Sequence, residues 1–306
     1  MFRWTAALEP FAHPVRGQGT ALAPAPLDDK KLVAALKQAP ELAERLKAAP
    51  TFADEARAFL WLAGDLERIA PLLDRWIARY GAAGALDIFT QVPNEPGIPL
   101  MPPARAASVE HLRRYLAHAS DYAAALDFVT SHDHLPYGMP AWSGSQYHLG
   151  REALAFLFPD HRPLFDLAVG QLVERNFTCL YLLGAVATDD DFQRLGGRIG
   201  YGDWERNAVT LARALEDAAL PHLTAYTARS TKVYPVARAL TAYVSSEAAV
   251  ALADYIIEKP PAIEILRGYF TAHPELAAEA LEPLVASKKK KVRETAATLL
   301  AASRAS

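Results

Sequence analysis

The chain has 306 residues, of which 51% are hydrophobic and 22% are charged, a composition typical of a globular protein with a sizeable core. Its net charge of −3 argues against an extended nucleic-acid surface, because such surfaces show a strong basic excess. The single cysteine, Cys179, excludes an internal disulfide and a cysteine-based zinc site. No apolar run matches a membrane span or a signal-peptide core, so we expect a cytoplasmic protein without membrane contact.

Residues 1–26 contain several prolines and glycines, too many helix breakers for a regular element, and predict an arm over the first helices. Residues 27–92 are predicted to form a first helical block. Its clearest pattern lies between Asp65 and Tyr80, where apolar residues recur at helical spacing and Gly81 is placed to end the helix. Phe59, Trp61, Trp76 and Tyr80 fit these stripes, and we predict that they lie in the core.

Residues 93–104 form a Pro-rich stretch, with prolines at positions 93, 96, 99, 102 and 103. Neither a helix nor a central strand tolerates prolines at this density. We therefore predict a crossover here. Residues 105–306 are predicted to form a second helical block that continues the same stack as the first.

The helical periodicity disappears over residues 131–150, which predicts a long loop, and such loops within compact domains are often functional. We predict that the loop contacts a partner or ligand through its His, Asp and aromatic residues: His132, Asp133, His134, Tyr137, Trp142, Tyr147 and His148. His132, His134 and His148 could together bind a metal ion, with Asp133 as a ligand or an orienting group. Local packing of these side chains on the surface is the alternative.

Two further segments carry charge that could contact an anion. Arg198 lies within a Gly-rich loop before a predicted helix and could bind a phosphate, although a simple turn between helices is the alternative. Lys288 to Lys291 could anchor nucleic acid or anionic lipid, or could be a solvated link between helices. Ser143 and Ser145 lack the setting of a nucleophile elbow, and no catalytic residue or cofactor is predicted.

The last sixty residues contain four apolar-striped segments with short links between them. Proline precedes the second and third of these segments, where a missing backbone N–H costs least. A helix with one apolar stripe cannot bury it alone, so consecutive helix pairs must stack on their neighbours. No segment alternates with period two for long enough to indicate a strand. The predicted fold is all-α, a HEAT-like α-solenoid of antiparallel helix pairs.

The final segment carries the pairs Val292-Arg293, Ala296-Ala297 and Leu299-Leu300, and this pattern resembles the second helix of a HEAT-type repeat. The longer string from Tyr269 to Leu300 resembles the helical-repeat region of bacterial proteins related to the molybdate metabolism regulator. Those proteins often carry a WGR domain ahead of the repeats, but no tryptophan of this chain is followed by Gly-Arg. The resemblance implies a regulatory role.

A stack of helix pairs offers a long binding face without a reaction centre. The leading hypothesis is therefore a non-enzymatic scaffold that binds a protein partner. The first alternative is a metal-dependent hydrolase that uses the His-rich loop 131–150. The second is a HEAT-like protein that binds nucleic acid, which the net charge of −3 disfavours. The sequence does not specify an oligomeric state.

Overall fold

The computed structural model describes residues 1–18, 21–48, 50–62, 65–92, 102–131, 151–175, 182–197, 204–229, 234–257 and 260–305. Within these ranges the chain is helical, with sixteen α-helices and three short 3-10 helices. The only β-type pairing there is an isolated bridge between Phe2 and Tyr243. The all-α prediction is confirmed. None of the described helices combines the length and the apolar character needed to cross a membrane.

The helices are numbered in chain order. They are α1 Asp29–Ala35, α2 Pro40–Ala48, α3 Phe52–Leu62, α4 Leu66–Thr90, α5 Pro102–Leu116, α6 Tyr122–Ser131, α7 Arg151–Leu157, α8 Arg162–Arg175, α9 Asp189–Arg194, α10 Trp204–Leu215, α11 Leu220–Arg229, α12 Tyr234–Leu240, α13 Ser246–Ile256, α14 Pro260–Ala272, α15 Pro274–Val285 and α16 Lys290–Arg304.

The chain divides into two compact units. The N-terminal unit is Pro14–Gln171, and the C-terminal unit combines Met1–His13 with Leu172–Ser306. The predicted arm 1–26 is therefore split between the two units at His13. The Pro-rich stretch 93–104 falls inside the N-terminal unit. Residues 93–101 lie outside the described part of the chain, and α5 begins at Pro102, where proline suits the first turn of a helix.

In the N-terminal unit α4 has a break that the sequence predicted. Gly81 adopts φ 70° and ψ 179° inside this helix, a backbone conformation that is open to glycine and strained for other residues. The N–H of Ala82 just beyond the break donates to Asp121 Oδ2 at 2.6 Å. A Cβ atom on Gly81 would approach the same oxygen to 3.0 Å. The break therefore needs glycine both for its conformation and for the space beside it.

The aromatic core of the N-terminal unit lies between α3 and α4. Phe59 packs on Trp76 and Phe89, with ring centroids 5.8 and 5.6 Å apart, and all three are buried. The predicted core position of Trp61 is wrong, because its side chain is 53% exposed. Side chains two residues apart on a helix point to different sides. Once Phe59 faces the core, Trp61 therefore cannot share that face.

The C-terminal unit has a regular packing pattern. Helix α10 contacts α12, α11 contacts α13, α12 contacts α14, α13 contacts α15, and α14 contacts α16. Sequence neighbours also touch, most extensively α15 and α16. Several alanines of these helices are buried in the core of the unit: Ala248, Ala249, Ala253, Ala277, Ala280 and Ala296.

Residues 1–13 belong to the C-terminal unit through both backbone and side-chain contacts. The N–H of Arg3 donates to the carbonyl of Ala242 at 2.6 Å, and the Phe2 ring packs on Tyr243 with centroids 5.5 Å apart. Leu8 and Ala12 are buried in the core of this unit. This part of the arm is thus packed against the C-terminal helices, not against the first helices as predicted.

Candidate interaction surface

The predicted loop site lies outside the described residues, which end at Ser131 and resume at Arg151. The same holds for Arg198. The loop residues concerned are His132, Asp133, His134, Tyr137, Trp142, Tyr147 and His148. Within the described ranges, no group of three or more His, Cys, Asp or Glu side chains could hold a metal ion. The metal and anion sites therefore stay predictions.

A buried charged cluster joins three helices of the N-terminal unit. Glu55 of α3 is fully buried, and its Oε1 accepts from Arg75 Nη2 at 3.3 Å and from the Tyr80 hydroxyl at 3.2 Å. Its Oε2 accepts from Trp76 Nε1 at 3.1 Å. Arg75 also pairs with Asp29 of α1. Protein groups donate hydrogen bonds to both oxygens of Glu55. We therefore interpret the cluster as a structural contact between helices and not as a reaction site.

The electrostatics of this cluster follow from its burial and its charges. Burial alone would lower the pKa of Arg75, but the charges of Glu55 and Asp29 outweigh that effect and raise the pKa. Burial, reinforced by the charge of Glu55, also raises the pKa of Tyr80. Arg75 is therefore held in its charged form by its carboxylate neighbours, and Tyr80 is held in its neutral, hydrogen-donating form, as expected for a structural ion-pair network.

Two other buried groups of the same unit bind the backbone of Pro14 and of Ala25. Asp74 of α4 lies 2.6 Å from His111 Nε2 of α5 and accepts from the N–H of Ala25 at 2.7 Å. Arg113 of α5 is buried, and its Nε donates to the carbonyl of Pro14 at 2.8 Å. Burial lowers the pKa of Arg113 to about 10. These contacts fix the backbone at Pro14 and at Ala25 and engage the side chains of Asp74 and Arg113.

The outer surface of the C-terminal unit separates its charges by helix. Helices α13 and α15 contact each other and together contain five carboxylates and neither lysine nor arginine. We call these residues the acidic surface. All of them are exposed: Glu247, Asp254, Glu275, Glu279 and Glu282.

Hydrogen bonds from two hydroxyl groups orient two carboxylates of the acidic surface. The Ser246 hydroxyl donates to Glu279 Oε2 at 2.6 Å, and the Thr224 hydroxyl donates to Glu247 Oε1 at 3.1 Å. Partial burial raises the pKa of Asp254. The sequence reasoning missed this surface, although the spacing of Glu275, Glu279 and Glu282 places them on one face of a helix and could have indicated it.

Positive charge collects at the start of α16. We call this group the lysine surface; its members are Lys288, Lys289, Lys290, Lys291 and Arg293, and all of them are exposed. Lys290 Nζ lies 3.8 Å from Glu294, and Arg293 Nη1 donates to the carbonyl of Ser287 at 3.0 Å. Residues 283–306 carry six positive charges and one negative, whereas the whole chain carries −3. The charge separation is thus a property of the surface and is hidden in the net charge.

The sequence predicted the lysine run but placed it in a link that extends to Lys291. In the structure α16 begins at Lys290, so two of the four lysines lie in its first turn. Comparison of the chain with protein-family models, with curated proteins and with solved structures finds no match. The resemblance of residues 269–300 to the repeats of the regulator-related proteins accordingly stays a prediction.

Proposed function

We propose that the protein is a non-enzymatic scaffold that binds a protein partner through its C-terminal unit. The observation that carries the proposal is the separation of charge between neighbouring packed helices, with the acidic surface on α13 and α15 and the lysine surface at the start of α16. Complementary charge mainly gives an interface its specificity and its association rate. Such a surface suits the recognition of another protein and requires no reacting group.

The packing of the C-terminal helices supports a repeat architecture behind this surface. From α10 to α16 each helix contacts the second helix along the chain, which is the contact pattern expected when helix pairs stack in sequence order. Ala280 of α15 and Ala296 of α16 are buried, and these two helices contact each other. On this basis we propose a HEAT-like stack over α10–α16, with the regulatory role that the resemblance implies.

Site-specific photo-cross-linking tests the scaffold role. A photoreactive residue is placed at Val250 or Ala297, which are exposed on α13 and α16, and the full chain is irradiated in an extract of cells that produce it natively. The matched control carries the same residue at Ala34, which is exposed on α1 of the N-terminal unit. We expect a protein adduct from Val250 or Ala297 that the Ala34 control does not form.

The absence of any protein adduct from both C-terminal positions would contradict the scaffold proposal. An adduct formed only from Ala34 would also contradict it, because the partner would then bind the other unit. The positions are chosen so that the label replaces no charged residue. A negative result therefore cannot be attributed to loss of the acidic or the lysine surface.

A further inference from the structure

We propose that the lysine surface is the docking site for a short acidic segment of a protein partner. This inference rests on the proposed function and specifies which part of the scaffold touches the partner and with what chemistry. The occupant is a stretch of chain rich in Asp and Glu, whose carboxylates pair with the exposed ammonium groups of Lys288 to Lys291 and with the guanidinium of Arg293.

The charges at the start of α16 favour an anionic occupant. Five cations occur within six residues, and Glu294 is the one carboxylate between residues 283 and 306. Lys290 and Lys291 lie in the first turn of α16, next to the positive end of the helix dipole, where cations are unfavourable and anions are favourable. An incoming carboxylate would therefore relieve the mutual repulsion of the lysines and would also interact well with the helix end.

The helix that carries part of the lysine surface is fixed by packing. Val292, Ala296 and Leu299 are buried along α16, and this helix packs against both α14 and α15. Arg293 is oriented by its hydrogen bond to the Ser287 carbonyl. Because the backbone beneath the lysine surface is already fixed by packing, binding orders only side chains, and the entropic cost of association is smaller.

The small extent of the lysine surface favours a short occupant. The lysine surface is confined to residues 288–293, and the whole chain carries a net charge of −3. A long polyanion such as nucleic acid binds through many phosphate contacts and needs a basic surface that extends beyond one short cluster. A short acidic segment can contact the lysines alone, and this favours it over nucleic acid.

A lipid surface fits less well. Stable membrane attachment by a polybasic patch needs a second signal, such as an inserted apolar group. Between residues 260 and 305, within the part of the chain that the structure describes, no large apolar side chain is exposed. The lysine surface therefore offers only the electrostatic half of a membrane contact.

Fluorescence anisotropy with a labelled oligoglutamate peptide tests the proposal on the full chain. The test variant is K288Q/K289Q/K290Q/K291Q. The matched control is K30Q/K31Q/K37Q/K47Q, which removes four exposed lysines from the N-terminal unit and changes the net charge equally. We expect the test variant to bind the peptide about tenfold or more weakly than the wild type, because several exposed charge pairs act together. The control variant should bind within about twofold of the wild type, and salt should weaken wild-type binding.

Three results would overturn the inference. The first is equal binding by the test and control variants. The second is tighter binding of a labelled DNA strand or duplex than of the peptide, with loss in the test variant. The third is tighter binding to vesicles that contain phosphatidylserine. Thermal unfolding of both variants shows whether they fold. The photo-cross-linking at Val250 and Ala297 can succeed while the peptide test fails, so failure of this inference is distinguishable from failure of the scaffold proposal.

Discussion

The two units of the chain differ in how deeply they bury charge. Among its described residues, the N-terminal unit buries five charged side chains: Asp54, Glu55, Asp74, Arg75 and Arg113. Within the described part of the C-terminal unit, the carboxylate of Asp191 is the only Asp, Glu, Lys or Arg side chain that is buried, and it closes a capping box at the start of α9. The first unit therefore joins its helices with buried charges, whereas the ion pairs that join elements of the second unit, such as Arg213 with Glu9 and Arg238 with Glu205, stay partly exposed.

This difference has an energetic consequence. A buried ion pair adds little net stability, but removal of one partner is costly because the other charge stays buried. A core of small apolar side chains is instead sensitive to added volume. The N-terminal unit should therefore respond most strongly to lost charges and the C-terminal unit to enlarged alanines. Charge changes on the surface of the C-terminal unit should have small effects on stability, and such a surface can be adapted to a partner.

The largest expected effect is that of Glu55→Ala in the N-terminal unit. It would leave Arg75, which is 7% exposed, without its buried partner, and loss of one member of a buried pair costs about 3–5 kcal/mol of unfolding free energy. The exposed Glu67 on α4 provides the control, and Glu67→Ala should lower stability by no more than about 1 kcal/mol, because Glu67 lies in the first turn of the helix and loses only its interaction with the helix dipole. Urea unfolding measures both effects, and hydrogen exchange assigns them to residues 14–171.

If Glu55→Ala lowered the unfolding free energy no more than the control does, the N-terminal unit would not depend on its buried charges. This result would mean that water or another group takes over the role of the carboxylate beside Arg75. Hydrogen exchange in the C-terminal unit serves as an internal reference, because the substitution lies entirely within the other unit.

The local features of the fold could be predicted from the sequence. The apolar stripe between Asp65 and Tyr80 predicted the first part of α4, and Gly81 predicted the break in this helix. Both predictions succeed because helical periodicity and a glycine-specific backbone angle depend on only a few neighbouring residues. The last sixty residues gave the existence of α13 to α16 for the same reason. Their boundaries were less accurate, since α16 begins at Lys290 and not at Val292.

The long-range features could not be predicted. Nothing near Arg3 in the sequence indicates that its N–H will meet the carbonyl of Ala242, more than two hundred residues away. The burial of Glu55 was equally hidden, because a glutamate in a helix is normally exposed. For the candidate surface, the lysine run was visible in the sequence. The acidic surface needed the knowledge that α13 and α15 pack side by side.

Alkaline pH should affect the C-terminal unit through its buried tyrosines. Burial raises the pKa of Tyr269 to about 12, and its hydroxyl donates to the Tyr243 carbonyl at 2.9 Å. The unfolded state ionises near pH 10. Stability is therefore retained below pH 10 and is lost between pH 10 and about 12, by up to about 1.4 kcal/mol per pH unit for this group.

The variant Tyr269→Phe isolates this contribution. Near pH 7 it should be less stable than the wild type by about 1 kcal/mol, because the Tyr243 carbonyl loses its hydrogen bond. Between pH 10 and 12 the difference should shrink and then reverse, since phenylalanine has no proton to lose. Urea unfolding at a series of pH values provides the measurement, and a constant difference at all pH values would contradict the raised pKa.

Enlarging a buried alanine tests whether the core of the C-terminal unit is sensitive to added volume. Ala253 is fully buried on α13, and Ala253→Leu should cost about 1–3 kcal/mol because the helices cannot separate without losing other contacts. The control Ala297→Leu adds the same volume at an exposed position on α16 and should be nearly neutral. If Ala253→Leu were as stable as this control, close approach of the helices would not be what holds the C-terminal unit together.

The smallest expected effect has the opposite sign. Lys290 and Lys291 lie in the first turn of α16, so Lys291→Gln should increase the unfolding free energy by about 0.3–1 kcal/mol, because cations there oppose the helix dipole. Lys290→Gln should increase it less, because this change also removes the 3.8 Å pair with Glu294. Arg304 lies in the last turn of the same helix and pairs with Glu282. Arg304→Gln should therefore lower stability by a similar amount, and salt should reduce both effects.

Urea unfolding at low and at high salt measures these three variants together. The same sign for Lys290→Gln and Arg304→Gln would show that the helix dipole does not decide the outcome. Opposite signs, with weaker binding of the acidic peptide by the lysine variants, would mean that the lysine surface lowers the stability of the free chain and favours binding. The lysine surface would then lower the stability of its own helix. In the N-terminal unit, by contrast, the charges of Glu55 and Arg75 pair with each other inside the fold.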